Sequence, residues 1–245
     1  MSINNIKSKN IPLNERIIFA LDVSSKEEAE KLVTCLGSHI NFFKVGLQLF
    51  IAEGFRAIDM ILDRGHKVMC DLKLFDVPKT VQLAIKQLNN RGITFATVHG
   101  NDSILKAAVE EKRDMKILAV TVLTSFDEED MRKMGLSGSV EDLVYYRARR
   151  AIELGCDGVV SSGLEAKRLR DDLGENFLIV APGIRPGKNI EIFEDDQKRI
   201  MTAQQAISNG ADYVVVGRPI QTAKDPVAVV ESMQNQIKKV LADVD

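Results

Sequence analysis

The residues with the clearest chemical potential are three charges within six positions, Asp71, Lys73 and Asp76. They follow the apolar run 67–70 and precede Pro78, a residue that indicates the end of a strand. Alternate residues of a strand share a face, so Asp71 and Lys73 should project together. Burying an acid beside a base is unfavourable unless the charges are paired. This strand exit is therefore the first candidate for an active site.

Polar residues also stand at or just after the other predicted strand ends. They are Asp22, Lys44, His99, Thr124, Ser161, Ser162, Arg185 and Arg218. In a barrel of parallel strands these ends meet on one face, where functional side chains converge. We expect Asp22 and Lys44 to join Asp71 and Lys73 there. The alternative is a solvated rim, because charged residues are commonly exposed.

Two glycine-containing turns, 181–187 and 216–219, indicate an anion site. The first contains Pro182 and Arg185, and the second contains Gly217 and Arg218. Glycine lets backbone N–H groups approach an anion closely, and arginine supplies a forked, permanent charge. Phosphate sites after the seventh and eighth strands recur in (β/α)₈ barrels. The alternative is two tight turns with surface arginines.

Other candidates are weaker. His99 is interpreted as structural rather than catalytic, since the sequence supplies no partner for it. Asp71 and Asp76 could hold a hard cation, but no His, Cys and carboxylate grouping has metal-ligand spacing. The basic run 147–150 is typical of the solvated face of a helix rather than of a nucleic-acid patch.

Eight short apolar runs, with helical patterns between them, define the elements that would position these residues. The runs are Ile17–Val23, Phe42–Val45, Lys67–Leu72, Ile93–His99, Ile117–Leu123, Gly158–Ser161, Phe177–Ala181 and Tyr213–Val216. Most are apolar throughout, which is typical of parallel strands buried on both faces. The pattern predicts an α/β protein, a single (β/α)₈ TIM barrel. A doubly wound open sheet is the rival, although no GxGxxG opens the first strand–helix turn.

Two long connections, 124–140 and 184–202, follow the fifth and seventh predicted strands. Loops after strands build the active face of this barrel, so both connections are candidate lids. We expect residues 1–14 to form a flexible tail and residues 15–245 to form one barrel domain.

Composition narrows the class of protein. The chain has 245 residues, 45% of them hydrophobic and 28% charged, with a net charge of −2. These values predict a globular domain without a global field that would attract nucleic acid or an anionic membrane. The three cysteines show no metal or CxxC spacing, and no segment resembles a signal peptide or a membrane span. The sequence therefore predicts a soluble cytoplasmic protein.

Six motifs together resemble those of the bacterial orotidine 5′-phosphate decarboxylase family, from about residue 17 to residue 237. They are Leu21-Asp22, Phe43-Lys44-Val45-Gly46, the stretch Asp71–Thr80, Thr121–Ser125, Pro182–Pro186 and Val216–Pro219. The DxKxxD-x-P-x-T stretch is specific in this company, whereas DxKxxD alone would mark a wider superfamily. The resemblance implies conversion of orotidine 5′-monophosphate to UMP and CO₂ without metal or cofactor.

The resemblance also implies a role for each matching position. Lys73 would donate the proton, Asp71 would face the reacting carboxylate, and Asp22 and Lys44 would hold ribose hydroxyls. Asp76 and Thr80 would reach the neighbouring subunit's site in a homodimer. The remaining implied substrate contacts are Thr124 and Ser162 facing the pyrimidine, Arg185, Gln197, Gly217 and Arg218 at the phosphate, and Pro182, which has no assigned part of the substrate.

Residue chemistry supports this reading. Loss of CO₂ from a pyrimidine carbon leaves a localised carbanion, which needs electrostatic stabilisation and a proton. Opposite charges around Lys73 favour its ammonium form, which suits a proton donor. Two other hypotheses remain. One is a metal-dependent sugar-phosphate decarboxylase or aldolase of the same superfamily, in which the resemblance implies an acidic ligand where Lys44 stands. The other is a non-catalytic nucleotide-binding barrel.

Overall fold

The fold is a closed barrel of parallel strands. The computed structural model describes residues 9–185 and 200–242. Eight strands pair in parallel and in chain order, and β1 closes the ring against β8. They are β1 Ile17–Ala20, β2 Phe42–Gly46, β3 Lys67–Leu74, β4 Phe95–His99, β5 Lys116–Val120, β6 Gly158–Val160, β7 Leu178–Ala181 and β8 Tyr213–Val216. This confirms the predicted (β/α)₈ barrel and excludes the open sheet.

Helices connect the strands and cover the outside of the barrel. Those in the described ranges are α1 Leu13–Arg16, α2 Lys26–Leu36, α3 Leu47–Glu53, α4 Phe55–Leu62, α5 Pro78–Leu88, α6 Asp102–Glu111, α7 Glu128–Lys133, α8 Val140–Glu153, α9 Ala166–Leu173, α10 Ala203–Ser208, α11 Arg218–Gln221 and α12 Pro226–Ala242. Side-chain caps start several of them: Ser25 Oγ accepts from Glu28 N–H, and Asn101 Oδ1 accepts from Ile104 N–H. The longer helices lay apolar residues against the sheet, so the strands are buried on both sides.

The barrel interior is filled by side chains from alternate strand positions. This cluster consists of Ile18, Ala20, Phe42, Met69, Phe95, Leu118, Val120, Val160, Leu178, Val180, Tyr213 and Val215. A second, larger cluster lies between the strands and the helices. The interior is therefore a packed core, and a ligand can enter only at its ends.

Three aromatic rings dominate one layer of that core. Phe42, Phe95 and Tyr213 pack with ring centroids 5.0 to 5.8 Å apart. The pairing register places Gly158 of β6 at the equivalent position of the fourth even-numbered strand. A Cβ on Gly158 would lie 2.4 Å from the Leu178 carbonyl oxygen. Three rings and a glycine thus share a layer that usually holds four side chains.

The segment before β1 closes the bottom of the barrel. Lys9 Nζ donates to Asp212 Oδ2 at 2.9 Å, and Ile11 packs against the interior cluster. Arg16 Nη1 donates to the Asp212 carbonyl at 3.2 Å. The predicted tail thus contacts the barrel from residue 9 onward, and its residues 1–8 lie outside the described residues.

Strand β3 departs from regular pairing where its charges stand. Cys70 pairs with Ala96 and Leu74 pairs with Val98. Between these two pairs the chain advances four residues in β3 but only two in β4. Lys73 has a φ of 47°, in the left-handed region that L-residues rarely adopt. The end of β3 is therefore no longer a regular extended strand.

The two predicted lids differ in what they contain. The connection after β5 carries α7, whose Asp127 side chain accepts from the N–H groups of Glu129 and Asp130. The connection after β7 is joined at its base, because Arg185 N–H donates to the Met201 carbonyl at 2.8 Å. Its middle, 186–199, lies outside the described residues. No described helix is both long and apolar enough to cross a membrane.

Candidate active site

A cleft of about 260 Å³ opens at the C-terminal ends of the strands. Its volume lies just below the usual range for small-molecule sites. It brings together nine of the residues predicted from the sequence: Asp22, Lys44, Asp71, Lys73, Thr124, Pro182, Arg185, Gly217 and Arg218. Side chains from six of the eight strand ends therefore converge on one volume.

Four charges of alternating sign run along one wall of this cleft. Lys44 Nζ lies 2.9 Å from Asp22 Oδ1 and 3.6 Å from Asp71 Oδ2. Lys73 Nζ lies 2.9 Å from the same Asp71 oxygen. Lys44 and Asp71 are buried, whereas Asp22 is half exposed. The order Asp22, Lys44, Asp71, Lys73 makes a charge array in which each buried charge has a partner of opposite sign.

Pairing decides the ionisation of the two buried members. Burial alone would raise the pKa of Asp71, but Lys44 and Lys73 outweigh burial and leave that pKa below its usual range. Burial alone would lower the pKa of Lys44, but Asp71 and Asp22 outweigh it and leave that pKa raised. Both groups are therefore charged at neutral pH, and the array is a fixed electrostatic feature.

Thr97 supports the array, although it is not among the residues predicted from the sequence. Its Oγ1 donates to Asp71 Oδ1 at 2.9 Å and accepts from the Lys73 N–H at 2.9 Å. Thr97 is fully buried in β4, two residues before the strand ends. The signal that could have revealed it is alternation, because Phe95 points inward and Thr97 must follow it.

Gly46 makes room for the first pair of the array. A Cβ at this position would lie 2.8 Å from Lys44 Nζ and 3.0 Å from Asp22 Oδ1. Any larger residue would have to displace that ion pair. The glycine is therefore part of the site, a role that its place within a motif does not reveal.

The two predicted anion turns lie beside each other at the ends of β7 and β8. Gly183 has a φ of 77°, a conformation that favours glycine. Arg185 and Arg218 both line the cleft, and Arg185 Nη1 donates to the Ile184 carbonyl at 2.9 Å. The turns therefore place two guanidinium groups on the side of the cleft next to β1.

The side of the cleft formed after β5 and β6 is apolar with a few hydroxyl groups. After β5 it is lined by Val122, Leu123, Thr124 and Ser125, and after β6 by Ser161. Thr124 is buried, as are Ser161 and Ser162. Ser162 is absent from the cleft lining, and its Oγ accepts from the Leu164 N–H at 3.2 Å. This wall suits a flat, partly polar ring.

Two more predicted site residues, Asp76 and Thr80, do not line this cleft. Asp76 and Thr80 are exposed, and Asp76 Oδ1 accepts from its neighbour, the Val77 N–H, at 2.6 Å. Within the described ranges, Asp76 forms no ion pair with Lys73 of the same chain, so Lys73 is not flanked by two carboxylates there. Gln197 lies outside the described residues.

His99 lies behind the array, where its ring contacts Phe75 edge-on with centroids 5.6 Å apart. Burial, followed by Arg147 and Lys73, lowers the pKa of His99, so the ring is neutral. Its Nδ1 is buried and has no hydrogen-bond partner within the described ranges. In the same ranges, no group of three or more His, Cys, Asp or Glu side chains is arranged to hold a metal ion.

Comparison with known proteins gives a consistent family. The family model described as orotidine 5′-phosphate decarboxylase / HUMPS matches residues 15–233. A protein of Methylococcus capsulatus named orotidine 5′-phosphate decarboxylase is 50% identical over 240 residues, which cover 98% of each chain. One of the same name from Nitrobacter winogradskyi is 46% identical over 229 residues, covering 93% of this chain and 94% of its own.

A solved structure agrees with the sequence relatives. The crystal structure of orotidine 5′-phosphate decarboxylase from Lactobacillus acidophilus superposes with a TM-score of 0.79 at 34% identity. The match covers 91% of this chain and 99% of that one. The similarity therefore extends over the barrel rather than over a single motif.

Proposed function

The chain belongs to the orotidine 5′-phosphate decarboxylase / HUMPS family, and from this premise we propose that it converts orotidine 5′-monophosphate to UMP and CO₂. The observation that carries the proposal is the charge array Asp22, Lys44, Asp71, Lys73 in the cleft that also holds the arginine turns. A nucleotide binder needs the arginine turns but has no use for a buried alternating array. The array is therefore the part of the site that a catalytic function explains and nucleotide binding alone does not.

Lys73 is the proton donor in this proposal. The bond between C6 and the carboxylate breaks, its electron pair stays on C6, and CO₂ leaves. The Lys73 ammonium then gives its proton to C6, and the resulting amine is reprotonated by solvent. The ammonium also stabilises the developing charge on C6, because it is fixed in place by Asp71 at 2.9 Å.

Asp71 destabilises the bound substrate by repelling its carboxylate. Besides Lys73, two groups hold the Asp71 charge in position, the Thr97 hydroxyl at 2.9 Å and Lys44 Nζ at 3.6 Å. A second carboxylate placed beside it is repelled, and departure of CO₂ removes that repulsion. Lys44 and Asp22 stand next along the wall and suit the ribose hydroxyls.

The phosphate belongs at the β7 and β8 turns, where Arg185 and Arg218 line the cleft. Gly217 allows close backbone approach there, and Gln197 is assigned to the same group by the family resemblance alone. Binding energy gained at the phosphate, remote from C6, can be used to close the site around the reacting carbon. Thr124 and Ser162 are assigned to the pyrimidine side, and Pro182 is a further substrate contact that lines the cleft.

The reaction needs neither a metal nor a cofactor under this proposal. Lys44 Nζ stands between the carboxylates of Asp22 and Asp71, where a divalent cation would have to bind. An ammonium in that place repels Mg²⁺. The same point argues against the metal-dependent sugar-phosphate enzymes as the second candidate.

A homodimer is the functional unit under the same proposal. Phe75 and Val77, on either side of Asp76, are 68% and 62% exposed. Leu47 and Ile51 of α3, which starts beside the end of β3, are also exposed. Apolar patches of this kind mark protein interfaces. Asp76 and Thr80 lie within this surface and would reach the partner's cleft.

The proposal places the enzyme in the cytoplasm. All three cysteines, Cys35, Cys70 and Cys156, are free thiols. Burial raises the pKa of Cys70 and of Cys156 to about 12, so both are unreactive packing residues. Free thiols are typical of a reducing compartment.

The test is an assay of the purified protein with orotidine 5′-monophosphate, with and without EDTA. We expect loss of substrate absorbance, formation of UMP and no effect of EDTA. Lys73→Ala should abolish turnover, whereas Lys167→Ala should leave it intact, because Lys167 is exposed on α9 and its ion pair is with Asp171 of the same helix.

Each other outcome has a defined meaning. UMP binding without turnover would favour the non-catalytic barrel, and EDTA inhibition would favour the metal-dependent relatives. Full activity of Lys73→Ala would refute the assignment of the proton donor. A circular dichroism spectrum of each variant separates loss of catalysis from loss of fold.

A further inference from the structure

The arginines of α8 do not form the uniform solvated face that their sequence predicts. Arg149 is exposed and its Nε lies 3.5 Å from Glu153 Oε1, and Arg150 pairs with Asp102 at 2.6 Å. Arg147 is half-buried and turns inward, where its Nη1 donates to the Thr121 carbonyl at 2.7 Å. No described carboxylate lies within ion-pair distance of Arg147. The partly desolvated guanidinium group of Arg147 therefore donates to a single backbone carbonyl.

Thr121 is the first residue after β5, and its position is fixed from two directions. Its N–H and its Oγ1 both donate to the Val160 carbonyl, at 3.2 and 3.0 Å. Arg147 holds its carbonyl from the helix side. Helix α8 makes a second contact one turn earlier, where Val144 packs in a cluster with Val122. Two adjacent residues at the exit of β5, Thr121 and Val122, thus contact α8.

The residues carried by this exit form one wall of the cleft. Val122, Leu123, Thr124 and Ser125 all line it. In a ring of eight strands β5 stands opposite β1, and β6 separates it from β7, which carries the first arginine turn. The apolar and hydroxyl character of the wall suits the flat ring of a nucleotide, and the arginine turns suit its phosphate.

We propose that Arg147 is a positioning residue that fixes the exit of β5 and thereby the wall that contacts the base of the nucleotide. This inference rests on the proposed function, since it assumes a nucleotide in the cleft. Arginine suits the task, because its charge strengthens the bond to the carbonyl and is retained on burial. Burial lowers the pKa of Arg147, but arginine remains charged at neutral pH.

Arg147→Met tests the proposal, because methionine keeps the apolar stem and removes the donor. Two ligands are compared by calorimetry: UMP and ribose 5-phosphate, which lacks the base. We expect the dissociation constant for UMP to rise at least about tenfold, since hydrogen bonds made by a charged group are among the stronger ones. The dissociation constant for ribose 5-phosphate should change less than twofold. Arg149→Met, on the exposed face of the same helix, should change neither.

The conservative variant keeps the test decisive. Arg147→Lys retains the charge but not the fork, so it should show a smaller loss that is equally selective for UMP. If Arg147→Met is too unstable to purify, Arg147→Lys carries the comparison. Equal weakening of both ligands would mean that Arg147 supports the whole site, and no weakening of either would mean that it supports none of it. Either result overturns the proposal.

Hydrogen exchange separates this inference from the function on which it rests. Amides of residues 121–125 should exchange faster in Arg147→Met than in the unmodified protein and in Arg149→Met, whether or not a nucleotide binds. Unchanged exchange would overturn the inference even in an active enzyme. Absence of UMP binding by the unmodified protein would instead count against the proposed function.

Discussion

At the scale of single residues, the site is governed by how its charges are compensated. Asp71 is the centre of the array: it contacts both lysines and accepts from Thr97. A buried carboxylate with these partners stays ionised, because the lysines outweigh the effect of burial on its pKa. The proposed chemistry depends on this fixed negative charge beside a fixed ammonium.

The backbone of Lys73 is the second feature at this scale. Its φ of 47° is unfavourable for any residue with a Cβ, by about 1 kcal/mol. Such strain is typical of functional positions, where the surrounding structure imposes a conformation that the residue alone would avoid. Here the imposed conformation sends the Lys73 side chain back to Asp71.

Comparing Lys73→Gly with Lys73→Ala measures this strain. Both variants should be inactive, but the glycine variant should have the larger free energy of unfolding, by about 1 kcal/mol, because glycine accepts a positive φ. The measurement is urea denaturation of the two proteins. Lys106, exposed in α6, gives a control of opposite sign, since glycine there should be about 1 kcal/mol less stable than alanine. An alanine variant at position 73 as stable as the glycine variant would contradict the strain.

At the scale of elements, the strands do more than carry side chains to their ends. β4 supplies Thr97 from within the strand, and β3 is irregular between Cys70 and Leu74. The extra length in β3 and the bond from Lys73 N–H to Thr97 occur together, so the irregularity places two neighbouring strands in one hydrogen-bonded unit. Irregular strands of this kind are common next to active sites.

β6 contributes by having no side chain at Gly158. The rings of Phe42, Phe95 and Tyr213 fill the layer to which Gly158 belongs, and Leu178 lies directly beside it. Interiors packed to this density do not absorb an added methyl group without movement.

Gly158→Ala should therefore destabilise the barrel by about 1–3 kcal/mol, the usual range for overpacking. The new Cβ would lie 2.4 Å from a β7 backbone oxygen, which cannot move as a flexible side-chain end could. Gly174→Ala is the comparison: its φ is 81°, but no atom lies within 4 Å of the added Cβ, so its loss should be limited to about 1 kcal/mol of strain. Thermal and urea unfolding give both values. Equal losses would mean that the β6 layer has room to adjust.

At the scale of the whole molecule, the cleft of one chain does not contain every predicted catalytic residue. Asp76 is exposed beside Phe75 and Val77, away from the cleft of its own chain. A two-fold dimer would bury this apolar surface and could carry Asp76 into the partner's site. The proposed active site is therefore complete only when two chains associate.

Mixing two inactive variants tests this arrangement. Lys73→Ala and Asp76→Ala are each expected to be inactive, because every site lacks one residue. In a mixed dimer, one site takes Lys73 from one chain and Asp76 from the other. Random exchange of subunits should then restore about a quarter of the unmodified activity, since half of the dimers are mixed and half of their sites are complete.

The control is a mixture of two variants at one position, Lys73→Ala with Lys73→Met, which should stay inactive. Steady-state turnover after denaturation and joint refolding is the measurement, and gel filtration reports the dimer. No recovery of activity, with mixed dimers present, would place Asp76 in the site of its own chain or outside catalysis.

The sequence by itself determined the barrel, its eight strands and most of the cleft. Buried parallel strands need continuous apolar runs, and functional groups stand at strand ends. Both features can therefore be recognised in short stretches of sequence. Asp22, Lys44, Asp71, Lys73, Thr124 and the arginine turns were placed together for that reason.

Tertiary structure decided what depends on contacts between distant segments. Thr97 reaches Asp71 from a neighbouring strand, and Arg147 reaches Thr121 across 26 positions of sequence. Local patterns did not separate Arg147 from the exposed Arg149, since packing against β5 sets them apart. The φ of Lys73 and the outward position of Asp76 are likewise set by how β3 meets its surroundings. Spacing predicts which side chains can meet, and packing of the closed barrel decides which ones do.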